Sequence, residues 1–136
     1  IEPTRALVAV DVNTGADTSP EASLKANVAA ARDLPRQLRL RGLGGQVTVD
    51  FAPVPKRDRA ALDQQIRQAF RGEAAETSLA GWTPLGNFEL QRKRDRLPLA
   101  LILKGGVASP AQSAARNPTR STGRSARSAA PTSARR

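Results

Sequence analysis

Asp11, Asn13 and Asp50 are the residues whose types and spacing could do chemistry. Asp11 and Asn13 stand two apart in LVAVDVNTGAD, where an apolar run gives out, and Asp50 closes a second such run, QVTVDF. The chain has no Cys and no His. Thiol nucleophiles, disulfides, the usual zinc sites and imidazole acid–base work are therefore excluded. What remains is carboxylate, amide, hydroxyl, Lys or Arg chemistry, or a hard cation held by oxygen ligands: magnesium, or manganese in its place. Two carboxylates brought together repel each other and lose solvation, and a divalent cation between them offsets both costs. A water on that cation, made more acidic, can attack a phosphodiester phosphorus. Asn13 would orient the water or hold a phosphate oxygen. Turn chemistry equally accounts for an Asp before Asn-Thr-Gly at a strand end, so residue types alone leave both readings open.

The elements decide whether the two acids meet. Alternation over residues 6–13 predicts a strand with Val8, Val10 and Val12 on one face and Leu7, Ala9, Asp11 and Asn13 on the other. A helix over Pro20–Arg41 follows, with Thr18 or Ser19 as its cap and Glu21 closing a Thr-x-x-Glu box. Its apolar stripe reads Leu24, Val28, Ala31 and Leu38, and Pro35 should kink or divide it. Residues 46–51 form a second strand and 57–71 a second helix. Residues 76–83 and 87–94 form two strands around the turn TPLG, and LPLALIL (97–103) is a final strand or a docking piece. The fold class is thus α/β, a small mixed sheet in the order strand-helix-strand-helix-strand-strand. Strands joined through a helix lie parallel. Both acids then fall at the carboxyl edge of the sheet, where open α/β sheets bind ligands.

Charge adds a partner class. The net charge is +10, and residues 105–136 carry six Arg and no acid. Residues 1–104 hold sixteen basic against twelve acidic groups, a balance of +4. The last segment, rich in Arg, Ser, Ala and Pro, lacks the apolar surface to offset ordering entropy and reads as a disordered tail. Such a balance favours an anionic partner, nucleic acid ahead of a membrane surface. Lys25, Arg32, Arg36 and Arg39 form a basic stripe on the first helix, either a solvated face or a track for a polyanion. With Trp82 and three Phe as the only aromatics, base stacking is not the main mode of recognition. No apolar run is long enough to span a membrane and no secretory leader pattern opens the chain. A cytoplasmic location is expected. A first residue other than Met suggests a piece of a longer chain, or a processed one.

Three stretches taken together, IEPTRALVAVDVNTG, RQLRLRGLGGQVTVDF and GWTPLGNFELQRKRDRLPL, resemble the catalytic region of the ribonuclease E/G family. The likeness runs from Ile1 to Leu99. LPRQLRLRGLGG and GWTPLGNFELQRKR are most similar to the shorter alphaproteobacterial members. The resemblance implies a deoxyribonuclease-I-like subdomain and a magnesium-dependent endoribonuclease. Such an enzyme cuts single-stranded RNA during RNA processing and leaves 5′-phosphate ends. It implies that Asp11 and Asp50 bind the metal and that Asn13 joins them in catalysis. It also implies RNA contact by Arg36, Arg39 and Arg41 and by Arg92, Lys93 and Arg94, with Lys25 on the same helix and Glu89 as a supporting acid near the metal. The family's upstream RNA-binding and 5′-end-sensing segments and its zinc-sharing cysteine pair do not occur in this sequence. Full-length members form homo-oligomers, but a shared zinc is not expected here.

Two further readings compete. The chain could be a basic RNA-binding module without turnover of its own, because the clamp that presents RNA to the acids is missing. Alternatively, the tail alone could hold nucleic acid.

Overall fold

The computed structural model describes residues 1–105; the tail expected over 105–136 lies outside the described residues, apart from Gly105. Five strands and three helices follow one another: β1 (Glu2–Pro3), β2 (Val8–Asp11), α1 (Pro20–Arg41), β3 (Gly45–Asp50), α2 (Lys56–Ala69), β4 (Thr77–Trp82), β5 (Phe88–Arg92) and α3 (Leu99–Gly105). The expected order holds, with a two-residue strand added in front and a short helix behind. Residues 97–103 enter α3 and form no strand.

The sheet runs β1-β2-β3-β5-β4. β2 and β3 are parallel, and every other pair is antiparallel. Alternation sorts the side chains. Val8, Val10, Val47, Val49, Phe88 and Leu90 point to one face and are buried there against Ala31, Leu34 and Leu38 of α1 and Leu62 and Ile66 of α2. The other face carries Ala9, Asp11, Gln46, Thr48, Asp50, Glu89 and Gln91, all exposed or half-buried. The described residues therefore form two layers, with one face of the sheet left open by them.

α1 begins where the Ser19 hydroxyl accepts the Ala22 N–H at 3.2 Å, with Pro20 in its first turn. It continues through Pro35 as one helix. Its buried stripe is Ser23, Asn27, Ala31, Leu34, Pro35 and Leu38, so Leu24 and Val28 are only half-buried. Gly42 ends α1 at φ 64°, and a Cβ there would stand 2.6 Å from the Leu97 carbonyl oxygen. Only glycine takes this conformation without strain while also admitting the close approach. The hairpin between β4 and β5 closes with Thr83 N–H to Asn87 O at 2.7 Å and Gly86 N–H to Thr83 O at 3.0 Å, with Pro84 in the position the sequence predicts.

No helix among the described residues is long and apolar enough to cross a membrane. Leu97, Leu99, Leu101, Ile102 and Leu103 are exposed, from 42% at Ile102 to 76% at Leu103. They form an apolar patch at the end of the described residues.

Candidate metal and nucleic-acid site

β2 and β3 pair in register from Val8 opposite Val47 to Asp11 opposite Asp50. The two acids are thus direct neighbours at the last rung of the parallel ladder, on strands about 4.8 Å apart. The Val12 N–H donates to the Asp50 carbonyl at 2.9 Å and holds the strands together one residue past that rung. Both side chains are on the open face and exposed. Among the described residues, neither forms an ion pair. Like charges directly opposite each other on neighbouring strands are unfavourable.

Asn13 joins them: its Nδ2 donates to Asp11 Oδ2 at 2.5 Å. An amide carries two N–H donors and an acceptor oxygen, so one donor and Oδ1 remain for a ligand. Beside Asp11 and Asn13, a cleft of about 280 Å³ reaches α1 at Ala30, Asp33 and Gln37. The Gln37 amide donates to Asp33 at 2.6 Å and holds that carboxyl below its ordinary value, with Arg36 adding to the effect.

Glu89 stands on the same open face, opposite Thr48. That puts it diagonal to Asp50, at about 7–8 Å by sheet geometry. No group of three acids closes around a single point among the described residues. The donor set is therefore two carboxylates and one amide oxygen, which fits a hard cation that keeps waters for the rest of its shell. Asp11 and Asp50 would be the residues to hold such an ion.

The basic residues are placed differently. β5 runs antiparallel to β3, with Arg92 opposite Gly45. Five residues of β3 separate that level from Asp50, about 17 Å at 3.3 Å per residue. Arg92, Lys93 and Arg94 therefore stand at the far edge of the sheet from the acids. Arg39 and Arg41 fall near that same edge, because α1 runs back from the acids toward the start of β3, whereas Arg36 pairs with Asp33, which lines the cleft beside Asp11. Lys25 is at the acid end, about 21 Å along the helix from Arg39 at 1.5 Å per residue.

Several of these charges are also committed to the fold. Arg92 is 3% exposed and its Nη2 donates to Glu73 Oε2 at 3.1 Å. Arg39 pairs with the other oxygen of Glu73. Arg36 pairs with Asp33 at 3.3 Å, and Arg94 donates to the Gly44 carbonyl. The strand alternation that buries Phe88 and Leu90 also turns Arg92 inward, which withdraws it from direct contact with a ligand.

Sequence reasoning missed Asn27. It is fully buried. Its Nδ2 donates to the Ala52 carbonyl at 2.8 Å and its Oδ1 accepts the Ala52 N–H at 2.9 Å. This two-way clamp fixes the chain two residues past Asp50. The available signal was a polar residue in phase with Ala31, Leu34 and Leu38 on a helix face. Arg59 was missed too. Its guanidinium carbon lies 5.0 Å from the Trp82 ring centroid.

A parallel strand pair thus ends in two opposed, uncompensated carboxylates at the edge of an open α/β sheet, a donor set of the type that suits a hard cation. The chain belongs to the ribonuclease E/G family, whose profile matches residues 1–95. It is 40% identical over 99 residues to a ribonuclease E of Nostoc sp., which covers 69% of this chain and 14% of that protein. It is 37% identical over 108 residues to a ribonuclease G of Salmonella typhimurium, covering 76% of this chain and 22% of that protein. The chain thus spans less than a quarter of the length of these relatives.

Proposed function

We propose that this chain is the metal-binding catalytic part of an endoribonuclease acting on single-stranded RNA. The observation that carries the reading is the register of Asp11 against Asp50, in a chain of this family. Asp11 and Asp50 would hold magnesium or manganese. When bound, the cation supplies an acidified water and charge stabilisation at the phosphate.

The chain's own residues do the rest. Asp11 and Asp50 present anionic oxygens on one open face, where a long polymer can lie across the sheet edge. Asn13, held by Asp11, offers its second N–H and its carbonyl oxygen to a phosphate oxygen or to the attacking water. Asn27 positions the residues after Asp50 through Ala52. Hydrolysis forms a bond from water oxygen to phosphorus and breaks the bond from phosphorus to the 3′ oxygen. The phosphate stays on the downstream 5′ oxygen, and the upstream piece takes a proton on its 3′ hydroxyl.

Cleavage of a 5′-monophosphorylated single-stranded RNA in magnesium tests this. Asp11→Asn should abolish it; unchanged cleavage in that variant overturns the assignment. A second reading is favoured by the openness of the acid face: with none of the described residues covering RNA there, the chain alone binds RNA and turns over slowly or not at all. Salt-sensitive binding without cleavage supports that reading.

A further inference from the structure

We infer that Arg59, seated on Trp82, is an RNA phosphate-binding residue at the same sheet edge as the acids, gripping the strand beside the phosphate held at Asp11 and Asp50. The inference rests on RNA being the substrate.

Trp82 closes β4 at the level of Phe88, which itself pairs with Val49 one residue before Asp50. Its ring packs 5.7 Å from Phe51, the residue after Asp50, and 5.6 Å edge-on from Phe88. Arg59 lies over this ring. Its Nη2 also abuts the 83–86 turn, where a Cβ added at Gly86 would meet it at 3.1 Å. Contacts thus run from Phe51, the chain neighbour of Asp50, through Trp82 to Arg59, on the helix-covered side of the same sheet edge.

Two donors in this corner lack acceptors: Arg59 Nε and Trp82 Nε1 are both buried without a hydrogen-bond partner. Among the described residues no carboxylate pairs with Arg59, whereas Arg36, Arg39, Arg67 and Arg92 each have one. A guanidinium stacked on an aromatic face is pre-oriented and presents its fork to a phosphate. Lys56 is exposed in the same first turn of α2 and extends the positive field, while Arg57 beside it pairs with Asp58 at 3.9 Å. The carboxylates supply no attraction for RNA before a cation binds, so a nearby cationic grip is what the edge requires.

Trp82 is the only Trp and the chain has no Tyr, so intrinsic fluorescence reports this corner directly. The full chain is titrated with a single-stranded oligoribonucleotide without magnesium, following Trp82 emission and, separately, binding by anisotropy of labelled RNA. The variants are Arg59→Gln, Arg59→Lys and, as a control for lost charge, Arg67→Gln, each checked for folding by circular dichroism. RNA should shift Trp82 emission in the wild type. Arg59→Gln should weaken binding about tenfold more than Arg67→Gln does, and lower the salt slope by about one phosphate contact. Arg59→Lys should retain part of the affinity and lose the emission change. Binding that leaves Trp82 emission unmoved, or Arg59 variants that bind as Arg67→Gln does, overturns the inference. Both readouts are independent of cleavage, so they separate this inference from the proposed activity.

Discussion

Asp11 and Asp50 face each other across the last rung of the only parallel strand pair in the described sheet. A single β-α-β unit puts them there. The helical connection makes β2 and β3 parallel, equal phase puts both acids on the open face, and the strands end together.

Removing one acid should stabilise the metal-free fold and abolish its response to metal. Asp50→Asn relieves a cross-strand repulsion, worth about 0.2–1 kcal/mol. Thermal unfolding with EDTA should show a slightly higher midpoint in the variant. Added magnesium should raise the wild-type midpoint and leave that of Asp50→Asn in place.

Asn13→Ala keeps both carboxylates but removes the amide that Asp11 holds. Magnesium affinity, read by the same thermal shift, should stay within a few-fold. The cleavage rate should fall roughly 10²-fold, as expected for a lost positioning or transition-state contact.

Asn27→Ala leaves the Ala52 N–H and carbonyl without their buried partners. Two such groups at about 1–3 kcal/mol each predict a loss of roughly 2–6 kcal/mol, measurable by urea unfolding. Glu73→Gln should cost about 3 kcal/mol, because Arg92 would be left as a buried charge without its acid. Arg36→Gln, at an exposed pair, should cost under about 1 kcal/mol.

Acid should destabilise the fold through Asp17 and Asp33. The Ser19 N–H and hydroxyl hold Asp17 below its ordinary value of 3.8, and the Gln37 amide does the same for Asp33. A carboxyl with a depressed folded value contributes stability that is fully present above its unfolded value and is lost as pH falls through the folded one. Stability should therefore begin to fall near pH 4 and decline further below it. Asp17→Asn should flatten part of that dependence in urea unfolding measured across pH.

Much of the candidate edge was legible because it depends on short-range rules. Period-two alternation gives the faces of β2 and β3, and Ser-Pro-Glu and Gly42 give the ends of α1. The parallel pairing follows from the helical crossover. The placement of the basic residues was not legible, because it depends on strand direction. β5 runs against β3 and carries Arg92 to the far edge, and its alternation turns Arg92 inward to Glu73, nineteen positions earlier in the sequence. The phase of α1 was misread for a similar reason. Asn27 reads as polar and surface-facing until its twenty-five-residue reach to Ala52 is known. Two-residue β1 is too short to leave a periodic signal.

The most direct measurement is magnesium-dependent cleavage of a 5′-monophosphorylated single-stranded RNA by the full chain beside its Asp50→Asn variant. The opposed-carboxylate site predicts 5′-phosphate products that rise with magnesium in the wild type and are lost in the variant. Equal cleavage by both would contradict it, because the chemistry would then lie away from the Asp11–Asp50 rung.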